Sequence, residues 1–144
     1  MYVLDTNVVV AALVSRRGAS HWLLDRALDG RLEVAVSVAL ALEYEDVLSR
    51  ARVKELSWAT ARQIDQVLDG LLECAKLVAP IRFKLRPVLN DPGDDLVLEC
   101  AVQAGAAAIV TVNLRDFAPV KNLYDIAIMK PGDLVAELRR KGLQ

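Results

Sequence analysis

The feature that most constrains the fold is the alternation of short apolar runs with longer segments of helical periodicity. Strands are predicted at residues 2–4, 32–36, 76–79, 107–111 and 126–129. Helices are predicted to begin at residues 5–7 and to run over residues 19–29, 38–52, 59–74, 92–104 and 131–141. A joint is expected at residues 53–58, an extended connector at 81–90 and a polar loop at 112–125. This order is typical of an α/β protein with three layers, in which helices cover both faces of a central parallel sheet of about five strands.

Size and composition further limit the class of protein to which the chain can belong. At 144 residues, the chain is expected to form a single domain over residues 1–144. Hydrophobic residues make up 54% of the chain and aromatic residues only 5%, so the core is expected to consist of Ala, Val and Leu. No apolar run is long enough to span a bilayer and no leader pattern opens the chain, which predicts a cytoplasmic protein. A net charge of -1 argues against a broadly basic nucleic-acid-binding surface, but it permits local basic patches.

The most acidic stretch of the chain is residues 91–99, where Asp91 and Pro92 fit the start of a helix. On its own this pattern predicts a well-capped helix. However, Asp94 heads the apolar stripe formed by positions 94, 97, 98 and 101, which places its carboxylate on the buried face. Asp95 and Glu99 lie on a different line and are predicted to be solvated.

Three further acids are predicted to share an edge of the sheet with Asp94. Asp5 follows the first strand, Asp116 follows the fourth, and Glu43 lies on the apolar face of the helix after the second strand. Ligands of parallel sheets bind beyond the carboxyl ends of the strands. A carboxylate on an apolar face needs an arginine or a metal ion as partner. Four acids at one edge, with no nearby His or Cys, favour Mg²⁺ or Mn²⁺ over Zn²⁺.

The chain lacks other recognisable catalytic motifs. It contains no P-loop, no glycine-rich dinucleotide fingerprint and no nucleophile elbow. His21, the only histidine, lies in an amphipathic helix and is more typical of packing than of a general base. Metal-assisted hydrolysis of a phosphodiester is the reaction class that remains, because bound ions can activate water without a protein base.

Four segments in chain order resemble the motifs of the PIN-domain nucleases. They are Val3–Asn7, Leu42–Leu48 around Glu43, Asp91–Ala101 around Asp94, and Val110–Phe117. The resemblance covers essentially the whole chain and is closest to the toxin components of prokaryotic toxin-antitoxin pairs. It implies a compact α/β/α fold that cleaves RNA with Mg²⁺ or Mn²⁺.

The resemblance also implies roles for individual residues. Asp5, Glu43, Asp94 and Asp116 would be the catalytic, metal-binding acids, although it leaves open whether Asn113 or Asp116 completes the metal shell. The supporting polar residues would be Thr6, Asn7, Asp91, Thr111 and Asn113. Toxins of this kind commonly form homodimers and are inhibited by an antitoxin whose tail covers the acidic pocket, so both partners are expected.

Contacts to RNA and to partners can be assigned only broadly. Phosphate contacts are expected from basic residues near the acids, with Arg115 preferred because it adjoins Asp116. The candidates are Arg16, Arg17, Arg82, Lys84, Arg86 and Arg115. The helices over residues 38–74 offer the most apolar surface for a partner.

Two other functions are compatible with parts of the pattern. A haloacid-dehalogenase-like phosphatase also begins with a strand ending in Asp, but it carries a second Asp two residues later, where this chain has Asn7. A non-catalytic interaction module with the same fold has no need for mutually repelling acids, so the presence of all four argues against it.

Overall fold

The computed structural model describes residues 1–82 and 88–144. The five strands are β1 (Tyr2–Leu4), β2 (Ala35–Ser37), β3 (Lys76–Val78), β4 (Ala108–Val110) and β5 (Ala127–Met129). The seven α-helices among these residues are α1 (Thr6–Val14), α2 (Ala19–Leu28), α3 (Val38–Leu48), α4 (Ala51–Leu56), α5 (Ala61–Cys74), α6 (Pro92–Ala104) and α7 (Pro131–Arg140). Half of the connector expected at residues 81–90, including Lys84 and Arg86, lies outside the described residues.

All described strand pairs are parallel, which confirms the predicted α/β class. The hydrogen-bonding pattern differs from a single five-stranded sheet, because β1, β4 and β5 form one sheet and β2 and β3 form another. One isolated bridge, between Tyr2 and Val34, joins the two sheets. The backbone N-H of Tyr2 donates to the carbonyl of Glu33 at 3.0 Å, just before β2 begins. The strands therefore lie in the order β3-β2-β1-β4-β5, with a break in the ladder between β2 and β1.

The core is aliphatic, as the composition predicts. Val3, Leu4, Ile109 and Val110 in the central strands are at most 1% exposed. Strands buried on both faces read as continuous apolar runs, which is why β1 and β4 show no polar alternation. No described helix has the length and apolarity needed to cross a membrane.

Two predicted element boundaries are wrong. The helix expected over residues 38–52 ends at Leu48, and a separate helix, α4, occupies most of the predicted joint at residues 53–58. Arg50 has an extended backbone (φ -68°, ψ 141°), which interrupts the helix, and the Ser49 hydroxyl donates to the Asp46 carbonyl at 2.7 Å. The predicted polar loop at 112–125 also contains a 3₁₀ helix, Leu114–Val120, held by the fully buried Phe117.

The predicted solvation of Asp95 and Glu99 is also wrong, since both are 2% exposed. Helix α6 contacts α3 and the strands β1, β2, β3 and β4, so it is enclosed on nearly all sides. The Asp95 carboxylate accepts hydrogen bonds from the backbone N-H groups of Val88 and Leu89, at 3.3 and 2.9 Å. A rule based on one apolar stripe describes a surface helix and fails for an enclosed one.

Candidate active site

Beyond the carboxyl end of β1 lies a cavity of about 260 Å³, referred to below as the acidic pocket. Its walls come from β1, α1, α3, α6 and the 3₁₀ helix, which are far apart in the chain. The lining residues are Asp5, Thr6, Asn7, Val10, Glu43, Val47, Asp91, Gly93, Asp94 and Asp116. The structure thus brings the four predicted catalytic acids to one cavity.

Asp5 forms the buried floor of the acidic pocket and is 5% exposed. Its backbone N-H donates to the Val110 carbonyl at 2.8 Å, which continues the β1–β4 ladder by one residue. The Thr111 hydroxyl donates to Asp5 Oδ2 at 2.8 Å. Burial raises the pKa of Asp5, the hydrogen bond from Thr111 opposes this effect, and the charges of Asp116 and Asp91 raise the pKa further.

Asp94 has the most perturbed carboxyl of the acidic pocket. It is 8% exposed, and burial together with the charges of Asp5, Asp116, Asp91 and Asp95 raises its pKa from 3.8 to about 7. Asp91 caps α6 by accepting the Gly93 N-H at 2.8 Å, so the capping role belongs to Asp91. The Asp94 side chain lines the acidic pocket instead.

Glu43 projects into the acidic pocket from α3. The next residue, Tyr44, fixes the position of this helix relative to β1. The buried Tyr44 hydroxyl donates to the Leu4 carbonyl, one residue before Asp5. Burial raises the pKa of Tyr44, which keeps the hydroxyl protonated as a donor. At the start of α3, the Ser37 hydroxyl caps the helix by accepting the Leu40 N-H at 3.1 Å. Glu43 is half-buried and exposed to the cavity.

The supporting polar residues form a small hydrogen-bond network behind Asp5. Thr111 Oγ1 accepts from Asn7 Nδ2 at 3.3 Å and from the Asn113 backbone N-H at 3.1 Å. The side-chain oxygen Oδ1 of Asn7 in turn accepts the Val112 N-H at 3.3 Å. Thr6 and Asn7 also line the acidic pocket, whereas Asn113 does not. Asp116 is exposed and does line it.

The predicted RNA-binding arginines are not among the lining residues of the acidic pocket. Arg115 lines a separate cavity with Phe117, Lys121 and other residues. The Arg16 guanidinium lies 4.3 Å from the centroid of the Trp58 ring, and Arg17 is exposed. Among the described residues, no lysine or arginine forms an ion pair with any of the four acids.

The chemistry of the acidic pocket fits a hard divalent cation. Its potential donors are carboxylate, amide and hydroxyl oxygens, which are the ligands that Mg²⁺ and Mn²⁺ prefer. As the side chains stand, no three acids, histidines or cysteines within residues 1–82 and 88–144 are close enough to hold one ion. Carboxylates without a cation repel one another, which favours such a spread arrangement.

Sequence reasoning missed several residues that shape the acidic pocket. Val10 and Val47 form apolar parts of its wall, and Gly93 lies against Glu43. The hydrogen bond from Tyr44 to Leu4 spans 40 residues, and nothing in the local sequence indicates it. The local sequence signal for Gly93 is its position between Asp91 and Asp94 at the start of one helix.

Comparison with known proteins identifies the family to which the chain belongs. The family model of the PIN domain matches residues 1–115, so the chain belongs to the PIN-domain family. Proteins of this family are generally nucleases that use divalent metal ions. This assignment excludes the haloacid-dehalogenase interpretation.

A solved structure supports the fold independently. The chain is similar to a chain of VapBC2 from Rickettsia felis, whose structure was determined bound to a DNA fragment from the VapBC2 promoter. The TM-score is 0.55 and the identity 18%, and the match covers 90% of this chain and 97% of the other. No curated protein sequence gives a significant match.

Proposed function

We propose that this protein is a metal-dependent endoribonuclease that acts as the toxin of a cytoplasmic toxin-antitoxin pair. The observation that carries the proposal is the acidic pocket, which Asp5, Glu43, Asp94 and Asp116 line without an ion-pair partner among the described residues. Asp5 and Asp94 are buried, and repulsion between them and from Asp116 raises the free energy of the metal-free protein. A cation bound by these acids would remove the repulsion, which explains why the acids share one pocket.

In this proposal the four acids hold Mg²⁺ or Mn²⁺, and Asp116 rather than Asn113 is the fourth, because only Asp116 lines the pocket. A cation held by these acids would supply Lewis-acid activation of the phosphodiester and of water for its hydrolysis. Asp94, with a pKa of about 7, must release its proton before it binds a cation well.

The surrounding side chains hold the acids in position. The Thr111 hydroxyl fixes one oxygen of Asp5, and Asn7 fixes Thr111. Asp91 contributes further negative charge at the start of α6. Thr6 and the backbone N-H of Asn113 complete the polar surroundings.

RNA is the substrate expected for such a site. The uncompensated acids repel phosphates, so cations at the margin of the pocket must attract the RNA backbone. Arg115 adjoins Asp116 in the 3₁₀ helix, and Arg16 and Arg17 follow the end of α1, one of the helices that forms the pocket. We assign these three arginines to phosphate contacts outside the metal site.

A direct experiment is to incubate the purified protein with end-labelled RNA in Mg²⁺, in Mn²⁺ and in EDTA. We expect shorter RNA fragments with either cation and intact RNA in EDTA. Cleavage that continues in EDTA would contradict the metal role. RNA binding without cleavage under any condition would favour a non-catalytic module.

The acidic pocket also defines the chemistry of an inhibitor. A protein segment rich in Arg or Lys would neutralise the carboxylates and exclude RNA, which is the action expected of an antitoxin tail. The similarity to VapBC2 supports an antitoxin partner. We expect a co-expressed antitoxin to abolish cleavage, and to lose this effect when the basic residues of its tail are replaced by alanine.

A separate apolar groove of about 290 Å³ lies between α3, α5 and β3. Its exposed apolar side chains include Val38 (57% exposed), Leu42 (60%) and Leu77 (64%). Exposed apolar patches commonly mark protein interfaces, and we propose this one as the contact between two copies in a homodimer. Leu42→Glu should shift the protein from dimer to monomer in light scattering. Leu123→Glu, at an equally exposed leucine that does not line this groove, should not.

A further inference from the structure

Gly93 occupies a position in α6 where glycine is not needed for the backbone. It is the second residue of the helix, after Pro92, and its φ lies outside the left-handed region that favours glycine. Alanine is the better helix former by roughly 0.5–1 kcal/mol. The helix alone would therefore be more stable with alanine at this position.

The surroundings of Gly93 give a reason for the missing side chain. A Cβ atom built on Gly93 would lie 3.1 Å from Glu43 Oε1 and 3.3 Å from Asp91 Oδ1. A distance of 3.1 Å is tighter than most real contacts, so the Glu43 carboxylate would have to move by a few tenths of an ångström. Glu43 Oε1 is the far end of a flexible side chain in an open cavity, so this movement costs the fold little.

We infer that Gly93 is a positioning residue, whose lack of a side chain lets the Glu43 carboxylate lie against the first turn of α6 near Asp91. This inference rests on the proposed function, in which Glu43 is a metal-binding acid. A metal site depends on the placement of its ligands, and changes beside a ligand typically weaken binding 10- to 100-fold. A shift of the Glu43 carboxylate that leaves the fold stable would therefore still weaken metal binding.

The chain contains a matched control. Helix α7 begins with the same three residues, Pro131-Gly132-Asp133, at the same helical positions as Pro92-Gly93-Asp94. A Cβ atom at Gly132 would have no atom within 4 Å. The same substitution at the two glycines thus compares a methyl group that meets Glu43 and Asp91 with one that meets no neighbouring atom.

The test compares Gly93→Ala, Gly93→Ser and Gly132→Ala with the wild type. Mn²⁺ binding to the metal-free protein is measured by calorimetry, RNA cleavage is measured separately, and circular dichroism monitors folding. We expect both Gly93 variants to stay folded and to bind Mn²⁺ about tenfold more weakly, with a similar loss of cleavage. Gly132→Ala should match the wild type within about twofold.

A double-mutant cycle shows whether Gly93 acts through Glu43. With Glu43→Gln as background, adding Gly93→Ala should change the Kd for Mn²⁺ by less than about twofold. The inference is overturned if the tenfold weakening persists in that background, if Gly93→Ala binds Mn²⁺ like the wild type, or if both Gly93 variants unfold. A wild type that binds Mn²⁺ but leaves RNA intact would refute the nuclease proposal and not the positioning role.

Discussion

Helices α6 and α7 begin with similar sequences, but only α6 contributes residues to the acidic pocket. Both start with Pro-Gly-Asp, and both bury the fourth helical residue, which is Asp95 in α6 and Leu134 in α7. The third residue separates them, because Asp94 is buried in the acidic pocket whereas Asp133 is exposed. An acid in the first turn of a helix is favourable in itself. The surroundings of α6 turn such an acid into a candidate metal ligand.

The two helices also differ in how they are enclosed. The buried residues of α7 form a single stripe, namely Pro131, Leu134, Val135 and Leu138. In α6 the buried residues include Asp94, Asp95 and every position from Val97 to Ala101. Only an enclosed helix can present one acid to a cavity and a neighbouring acid to the backbone of another segment.

The largest effect is expected from exchanging the two equivalent acids for amides. Asp94→Asn should reduce RNA cleavage by more than about a hundredfold, because a direct ligand matters at least as much as its neighbours. Asp133→Asn should leave cleavage unchanged. The rates are compared at saturating Mg²⁺ with the same labelled RNA.

The stability of the metal-free variants sharpens this comparison. Asp94→Asn removes a repelled, buried charge, so the free energy of unfolding should stay the same or rise by about 1 kcal/mol. A clear loss of stability would instead make Asp94 a structural residue, equivalent to an ordinary first-turn acid.

The second-largest effect is a loss of stability, which we expect when Asp95 is replaced. Asp95→Ala should lower the free energy of unfolding by about 1–3 kcal/mol, because the Leu89 N-H would lose its acceptor in a buried position. Denaturant unfolding measures the change. Cleavage by the folded variant should remain within a few fold of the wild type, and an inactive but fully stable variant would contradict the structural role.

Asp94 and Asp95 show where sequence reasoning succeeds and where it stops. The position of Asp94 on an apolar stripe correctly predicted its burial, because the stripe is a local property of the helix. The same rule assigned Asp95 and Glu99 to solvent, because it assumes a helix with one exposed face. The number of elements around α6 depends on how distant strands pair, which no local pattern encodes.

The same limit applies to the rest of the acidic pocket. The carboxyl-end rule for parallel strands correctly brought Asp5 and Asp116 to one cavity with Asp94. It could not show that Arg115 would line a different cavity, since adjacent residues in a 3₁₀ helix point in different directions. The space that Gly93 leaves for Glu43 is likewise a property of packing between α3 and α6.

A third, smaller effect is a pH dependence of stability that arises from Asp94 in α6. The folded protein holds a proton on Asp94 up to a pKa of about 7, whereas the unfolded chain releases it near 3.8. The folded state therefore binds more protons between these values, and stability falls as the pH rises from about 4 to 7. Between pH 5 and pH 8 the metal-free wild type should lose at least about 1 kcal/mol more than Asp94→Asn.

Asp133→Asn provides the control for this measurement, because it replaces an exposed first-turn acid that does not line the acidic pocket. Added Mn²⁺ should stabilise the wild type more at pH 8 than at pH 6, because cation binding requires the deprotonated carboxylate. A wild type and an Asp94→Asn variant with parallel profiles would show that Asp94 titrates normally.

The smallest effect on stability is expected at Gly132, where a methyl group suits the helix and contacts no neighbouring atom. Gly132→Ala places a methyl group in open space on a helix without a positive φ, so it should raise the free energy of unfolding by about 0.5 kcal/mol. Gly93→Ala offers the same gain in chain entropy, but its methyl group meets Glu43 and Asp91. Thermal unfolding of the two metal-free variants should thus show a smaller gain at Gly93 than at Gly132. Equal gains would mean that Glu43 moves aside at no cost, and the difference between the two helix starts would then reside in Asp94 and Asp133 alone.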